Sequence, residues 1–215
     1  MDTLLNNLDL FVNGFKNTLI LFVISAFFAL IIGSVVGAMR VSPVPAMRAV
    51  GTVYVNLIRN TPLTLLMFFF AFGYPKLNLG HVSYPTLAII ALSIYTATYV
   101  AEVVRSGFNT VPKGQAEAAR AIGLPFGQTM SLVIMPQAFR AVIPPLMSVL
   151  IALLKNTTIA AGFSVAEAGA IRANLSERGE PAIIVLLWVA FFFVVLVALL
   201  SLLQAYLERR WRVLR

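Results

Sequence analysis

The 215-residue chain has no cysteine, one histidine and eight acidic residues. Without cysteine there is no disulfide framework, no thiolate nucleophile and no thiolate metal site. The lone histidine, His81, falls in a predicted loop with no companion ligand and reads as a surface residue, so no metal centre is expected. No Gly-x-x-x-x-Gly-Lys-Ser/Thr loop occurs, so the chain is not expected to bind ATP itself. No nucleophile–base pair is visible, and His, Asp and Ser do not cluster at one depth. This argues against a membrane-embedded enzyme and leaves no catalytic residue to name.

Apolar sequence is what the chain has in quantity. Hydrophobic residues make up 60% of it and the mean hydropathy is +0.92, more than a soluble domain of this size needs. The pattern predicts an all-α integral membrane protein forming one domain over residues 1–215. Five spans are expected, at about 17–39, 52–73, 85–106, 145–164 and 181–206. Before the first, Leu4, Leu5, Leu8, Phe11, Val12 and Phe15 recur at helical spacing and predict a helix lying at the membrane surface. The N-terminus carries Asp2 and Asp9 and no basic region, so the first apolar stretch is expected to be retained. Gly33 and Gly37 form a small-xxx-small pair that permits close helix contact. The net charge of +8 reads as loop bias rather than nucleic-acid binding.

Three polar groups interrupt the apolar background. Arg59-Asn60-Thr61-Pro62 breaks the second apolar region, whose full length as a helix is roughly 40 Å, so the break is expected inside the bilayer. Tyr95, Thr98, Tyr99 and Glu102 share one face of the third span, and Glu102 and Arg105, one turn apart, form a structural pair. Lys155 enters the fourth span followed by Asn156, Thr157 and Thr158. A cation at that depth needs a partner, a water-filled cavity or a substrate. The expectation is that Arg59, Asn60, Thr61, Lys155, Asn156, Thr157 and Thr158 line one polar path with Tyr95, Thr98 and Tyr99 as walls.

Between the third and fourth spans lies an alanine-rich, partly charged stretch, Gln115-Ala116-Glu117-Ala118-Ala119-Arg120-Ala121-Ile122-Gly123-Leu124-Pro125. Thr110 is read as a cap, Pro112 suits a first turn, Gly123 fits the position after a helix end, and a second short helix is expected from about Pro125. The product is a smooth helix able to press close to another protein.

Glu117-Ala118-Ala119, Gly123, then Ile134 and Pro136 resemble the EAA signature of the membrane subunits of binding-protein-dependent ABC importers. Met135-Pro136 stands where that family usually has Leu-Pro. With Arg59-Asn60-Thr61-Pro62-Leu63, Glu102 to Gly107 and Lys155-Asn156-Thr157-Thr158, the resemblance covers nearly the whole chain and narrows to polar amino acid permeases. The wording Leu154 to Ala160 is most similar to actinobacterial glutamate permeases. The resemblance implies a type I importer permease fold and transport of a polar amino acid such as glutamate or glutamine. It also implies a coupling segment over residues 110–130 that meets an ATPase through Gln115, Ala116, Glu117, Ala118, Ala119, Arg120, Gly123 and Leu124. Its implied partners are a second permease subunit, identical or homologous, a cytoplasmic ABC ATPase dimer that binds the ATP, an extracytoplasmic amino-acid-binding protein, and membrane lipid. Its implied location is the bacterial cytoplasmic membrane.

Charge counting gives an orientation. Arg40, Arg48, Arg105, Lys113, Arg120, Arg140 and four tail arginines fall on one side, and Lys16, Lys76, Arg172 and Arg178 on the other. The first side is expected to be cytoplasmic and the N-terminus outside. A rival class, an ion-gradient-driven secondary transporter, predicts an internal repeat and acidic residues at mid-membrane. No repeat is visible, and Glu102 lies near a helix end.

Overall fold

The computed structural model describes residues 2–210, and every regular element among them is helical. The chain runs α1 (Asp2–Leu5), α2 (Leu8–Val41), α3 (Pro45–Arg59), α4 (Leu63–Phe68), α5 (Tyr74–Lys76), α6 (Tyr84–Asn109), α7 (Lys113–Ala121), α8 (Phe126–Gln128), α9 (Met135–Asn156), α10 (Ile171–Glu177) and α11 (Ala182–Arg210). Four helical stretches are long and apolar enough to cross a membrane, and α3 with the α4–α5 segment would make a fifth. Of the tail Glu208 to Arg215, expected from sequence to be a basic, aromatic membrane flank, residues 208–210 end α11 and the rest lies outside the described residues.

The bundle is built on α2 and α6. Gly33 and Gly37 of α2 face α6 so closely that a Cβ on Gly33 would overlap Val100 and reach the Ala97 carbonyl at 2.7 Å. One added at Gly37 would meet Val104 Cβ at 2.7 Å. The glycine pair thus sets the distance between these two helices. Around them Leu21, Leu63, Met67, Leu92, Leu153 and Phe163 form the main core, drawn from α2, α4, α6, α9 and the turn after α9. α11 packs on α9 and α10 and leaves most of its surface exposed, as a lipid-facing helix does.

Three local expectations are corrected. The amphipathic segment is not a separate surface helix from residue 8 onward, because α2 is one 34-residue helix. Phe11 is buried with Ile171, Leu175, Val185 and Val189, and Phe15 makes tilted ring contacts with Phe192 and Phe193, so protein covers these two residues while Leu5, Leu8 and Val12 stay exposed. The fourth span does not begin near Pro145. Helix is nearly continuous from Phe126 to Phe163, with Pro144 and Pro145 inside α9. Each proline removes one backbone donor and frees the carbonyl four residues back, on Arg140 and Ala141, which lie at exposed and half-exposed positions. Finally, Thr110 closes α6 rather than capping α7, and Pro112 itself occupies the N-cap of α7.

The α3–α4 junction bends by 91°. Pro62 has no N–H, and Thr61 turns its hydroxyl back to the Leu57 carbonyl at 2.8 Å. The Pro62 carbonyl then starts the next helix by accepting from Leu65 N at 2.9 Å. After α4 the turn widens over Phe69–Gly73.

Beyond α9 a tight turn, Thr157–Phe163, ends at Ser164 in the left-handed region, φ 59°. The following loop is tied back to α2. Asn17 Nδ2 donates to the Ala166 carbonyl at 2.6 Å, and Thr18 Oγ1 lies 3.1 Å from Glu167 Oε2 and accepts from Ala168 N at 3.0 Å. Glu167 is almost fully buried, and desolvation pushes its carboxyl above the ordinary carboxylate value.

Candidate functional site

A cavity of about 420 Å³ opens between α6 and α9. Tyr95, Thr96 and Tyr99 supply one wall, and Ser148, Val149, Ala152, Leu153 and Asn156 the other. Positions 148, 152 and 156 are four apart, which places them on one face of α9. The Tyr95 and Tyr99 hydroxyls are 2.9 Å apart and hydrogen-bonded. From α11, Gln204 Nε2 donates to Ser148 Oγ at 3.1 Å and to Glu208 Oε1 at 2.9 Å. Among the described residues, the lining has hydrogen-bonding groups and no charged side chain.

The charge stands one aromatic ring away. Arg59 Cζ lies 5.5 Å from the centre of the Tyr99 ring, a cation–π contact. Arg59, Arg40 and Arg105 converge on the Glu102 carboxylate. Arg40 Nη1 is 2.8 Å from Oε1, an ion pair without aligned hydrogen-bond geometry. Arg105 Nε and Nη2 are each 3.0 Å from Oε2, and Arg59 Nη1 is 3.6 Å from Oε1. The Glu102–Arg105 pair expected from sequence is therefore half of a four-residue cluster. It joins the end of α2, the break after α3 and the helix leading to α7.

Of the residues expected along the path, Tyr95, Tyr99 and Asn156 line the cavity and Arg59 adjoins it. The others lie elsewhere. Thr98 is fully buried and donates to the Tyr95 carbonyl at 2.7 Å, because 95, 96 and 99 form the cavity face and 98 turns into the core. Thr157 is fully buried and donates to Leu154 O at 2.7 Å, and Thr158 donates to Lys155 O at 2.8 Å. Lys155 is exposed, off the cavity wall, and in no ion pair among the described residues. Asn60 and Thr61 stay at the bend outside the lining. Sequence reasoning missed Thr96, Ser148 and Gln204. The four-residue spacing of 148, 152 and 156 was the available signal for Ser148.

The second region of interest is α7. Gln115, Glu117, Ala118 and Arg120 are exposed, Ala116 is half-buried and Ala119 is buried. Ala119 faces its own chain, where α7 packs on the Thr129–Ile134 turn, so it is not positioned to touch a docked partner. Gly123 adopts φ +84°, the left-handed turn that ends the helix, and Leu124 N returns to Ala119 O at 3.1 Å. Nothing fills the space beyond Gly123 within 4 Å, and Ile122 and Phe126 stand 79% and 69% exposed beside it. Glu117 has no ion pair or side-chain hydrogen bond among the described residues.

The fold is that of a helical protein with four or five candidate membrane spans, and comparison with known proteins places it. Residues 29–213 match the family described as binding-protein-dependent transport system inner membrane component. The chain is 43% identical over 195 residues to the glutamate transport system permease protein GluC of Corynebacterium glutamicum, covering 85% of this chain and 86% of that one. It is 36% identical over 211 residues to the probable glutamine ABC transporter permease protein GlnM of Bacillus subtilis, covering 96% and 95%. The crystal structure of an amino acid ABC transporter with histidines superposes with a TM-score of 0.91 at 26% identity, covering 96% of each chain. The chain belongs to the binding-protein-dependent transport system inner membrane components, with the type I importer permease fold. It is a multi-pass amino acid ABC transporter permease of the cytoplasmic membrane.

Proposed function

We propose that this subunit forms the translocation path of an ATP-driven importer for a polar amino acid, glutamate or glutamine. The cavity between α6 and α9 carries the reading. It is lined by hydroxyl and amide groups and adjoins an arginine-rich cluster, the chemistry that receives a zwitterion with a polar side chain. The substrate class rests on the relatives named for glutamate and glutamine. ATP is bound and hydrolysed by a partner dimer that docks on α7, with Gln115, Glu117, Ala118, Arg120 and the Gly123 turn presented to it. Closure of that dimer moves α7 and, through α6 and α9, changes which end of the cavity is open, a two-state rigid-body change. A second permease subunit and an extracytoplasmic binding protein complete the assembly. The N-terminus lies outside and α7 in the cytoplasm, as the distribution of Lys and Arg supports.

Single cysteines test the path, since the native chain offers no thiol background. In the assembled complex, cysteines at 148 and 156 are expected to react with a small water-soluble thiol reagent. Added glutamate or glutamine is expected to slow that reaction several-fold. A cysteine at 155, off the cavity wall, is expected to show no substrate protection. If 148 and 156 stay unlabelled with and without nucleotide, or react at rates indifferent to both amino acids, the path lies elsewhere.

A further inference from the structure

The four-residue cluster beside the cavity has an excess of cation. Three guanidinium groups share one carboxylate, and they do not share it equally. The Arg40 side chain is 9% exposed and 2.8 Å from Glu102. Arg105 holds Oε2 through two nitrogens at 3.0 Å. Arg59 is the most exposed of the three, at 48%, and its contact is the longest, 3.6 Å. It is also the one seated on the face of Tyr99, whose ring lines the cavity. Glu102 keeps two close partners if Arg59 leaves, so departure uncovers no buried charge. Among the described residues, the cavity lining itself offers no cation to a substrate carboxylate.

We infer that Arg59 is the exchangeable counter-ion of this transporter: without substrate it rests on Glu102 and Tyr99, and it transfers to the α-carboxylate of an amino acid entering the cavity. This rests on the α6–α9 cavity being the substrate path. Glu102 is then a positioning residue. It sets how readily Arg59 leaves and does not touch the substrate. Arg105 acts in the opposite sense, because it satisfies the carboxylate that would otherwise retain Arg59. A planar guanidinium suits the exchange, since it can hold a carboxylate through two nitrogens and stack on an aromatic ring.

The test measures binding of L-glutamine and its α-carboxamide to the purified permease–ATPase complex in nanodiscs, without the binding protein, whose own selectivity would mask the effect. Wild type is expected to prefer glutamine by about tenfold or more, and Arg59→Met to bring the two ligands within about twofold, mainly by weakening glutamine. Arg105→Met leaves Glu102 more dependent on Arg59 and is expected to weaken glutamine several-fold while sparing the carboxamide. Glu102→Gln is expected to strengthen glutamine. If that variant does not assemble, because Arg40 loses its buried partner, the Arg59 and Arg105 variants carry the test. The decisive comparison is a double-mutant cycle. In an Arg59→Met background the Arg105→Met effect should vanish, whereas a simple change in local field would persist. An unchanged glutamine-to-carboxamide ratio in Arg59→Met, or an Arg105 effect that survives it, overturns the exchange. Absence of any glutamine or glutamate binding to wild type would instead remove the path reading, and the exchange with it.

Discussion

Glu117→Lys is expected to abolish transport by preventing the ATPase from docking, while leaving the permease itself folded. Within α7, Glu117 lies four residues after Lys113 and three before Arg120, yet it pairs with neither. Its carboxylate is exposed and free for another chain. Placing lysine there puts three like charges on adjacent turns. Such contacts cost an exposed helix only about 0.2–0.5 kcal/mol each, too little to unfold a subunit whose core lies elsewhere. The loss falls on docking. Reversing a charge at a protein interface removes an attraction and adds a repulsion, a matter of several kcal/mol. Recovery of ATPase on the affinity-tagged permease should drop at least tenfold, with the thermal melting of the permease alone unchanged. Glu117→Gln, which removes the charge without reversing it, should weaken recovery modestly. Normal co-purification and uptake by Glu117→Lys would refute the role.

The second large effect is structural. Gly33→Leu is expected to leave little or no protein in the membrane fraction. The Cβ alone would overlap Val100 and lie 2.7 Å from the Ala97 carbonyl oxygen, a backbone atom inside α6 that has no rotamer to give. α2 and α6 would have to part, loosening the core that also holds α4 and α9. Overpacking ordinarily costs about 1–3 kcal/mol and more when backbone is in the way, a large share of a typical stability of about 5–15 kcal/mol. Gly33→Ala should lie between, with a lowered melting temperature. Phe27→Leu on the same helix, at an exposed position, should be neutral. Wild-type yield and melting temperature for Gly33→Leu would show that the helices are not held at this spacing.

Much of this was legible in the chain. The long apolar runs and the small-xxx-small pair specify helices and one close contact, because both follow from local sequence. Helix α7 is equally local, since alanines between Pro112 and Gly123 have few alternatives. The cavity was only partly legible. Tyr95 and Tyr99 share a face by helical periodicity, but the opposite wall is supplied by Ser148, Ala152 and Asn156. The prolines at 144 and 145 pointed to a helix boundary ahead of them. In the structure they sit inside α9, and the phase of the helix that decides what faces the cavity follows from packing against α6. For the same reason Lys155 is expected on the path wall beside Arg59 but does not stand there. It lies one residue, about 100° of helix rotation, from Asn156, and that rotation takes it off the wall. The cluster around Glu102 was hidden because Arg40 and Arg59 approach it from helices far away in sequence, and only Arg105 lies within a turn.

The central claim is that this chain is the path-forming subunit of an ATP-driven amino acid importer. It is tested most directly by reconstituting the complex co-purified from its own cell, with its binding protein, into proteoliposomes and following labelled glutamate and glutamine. The account predicts uptake that requires ATP on the α7 side and binding protein on the other, with hydrolysis stimulated by the amino acid and lost in Glu117→Lys. Uptake that proceeds without ATP on a proton or sodium gradient, or that persists unchanged when the ATPase is absent, would contradict it.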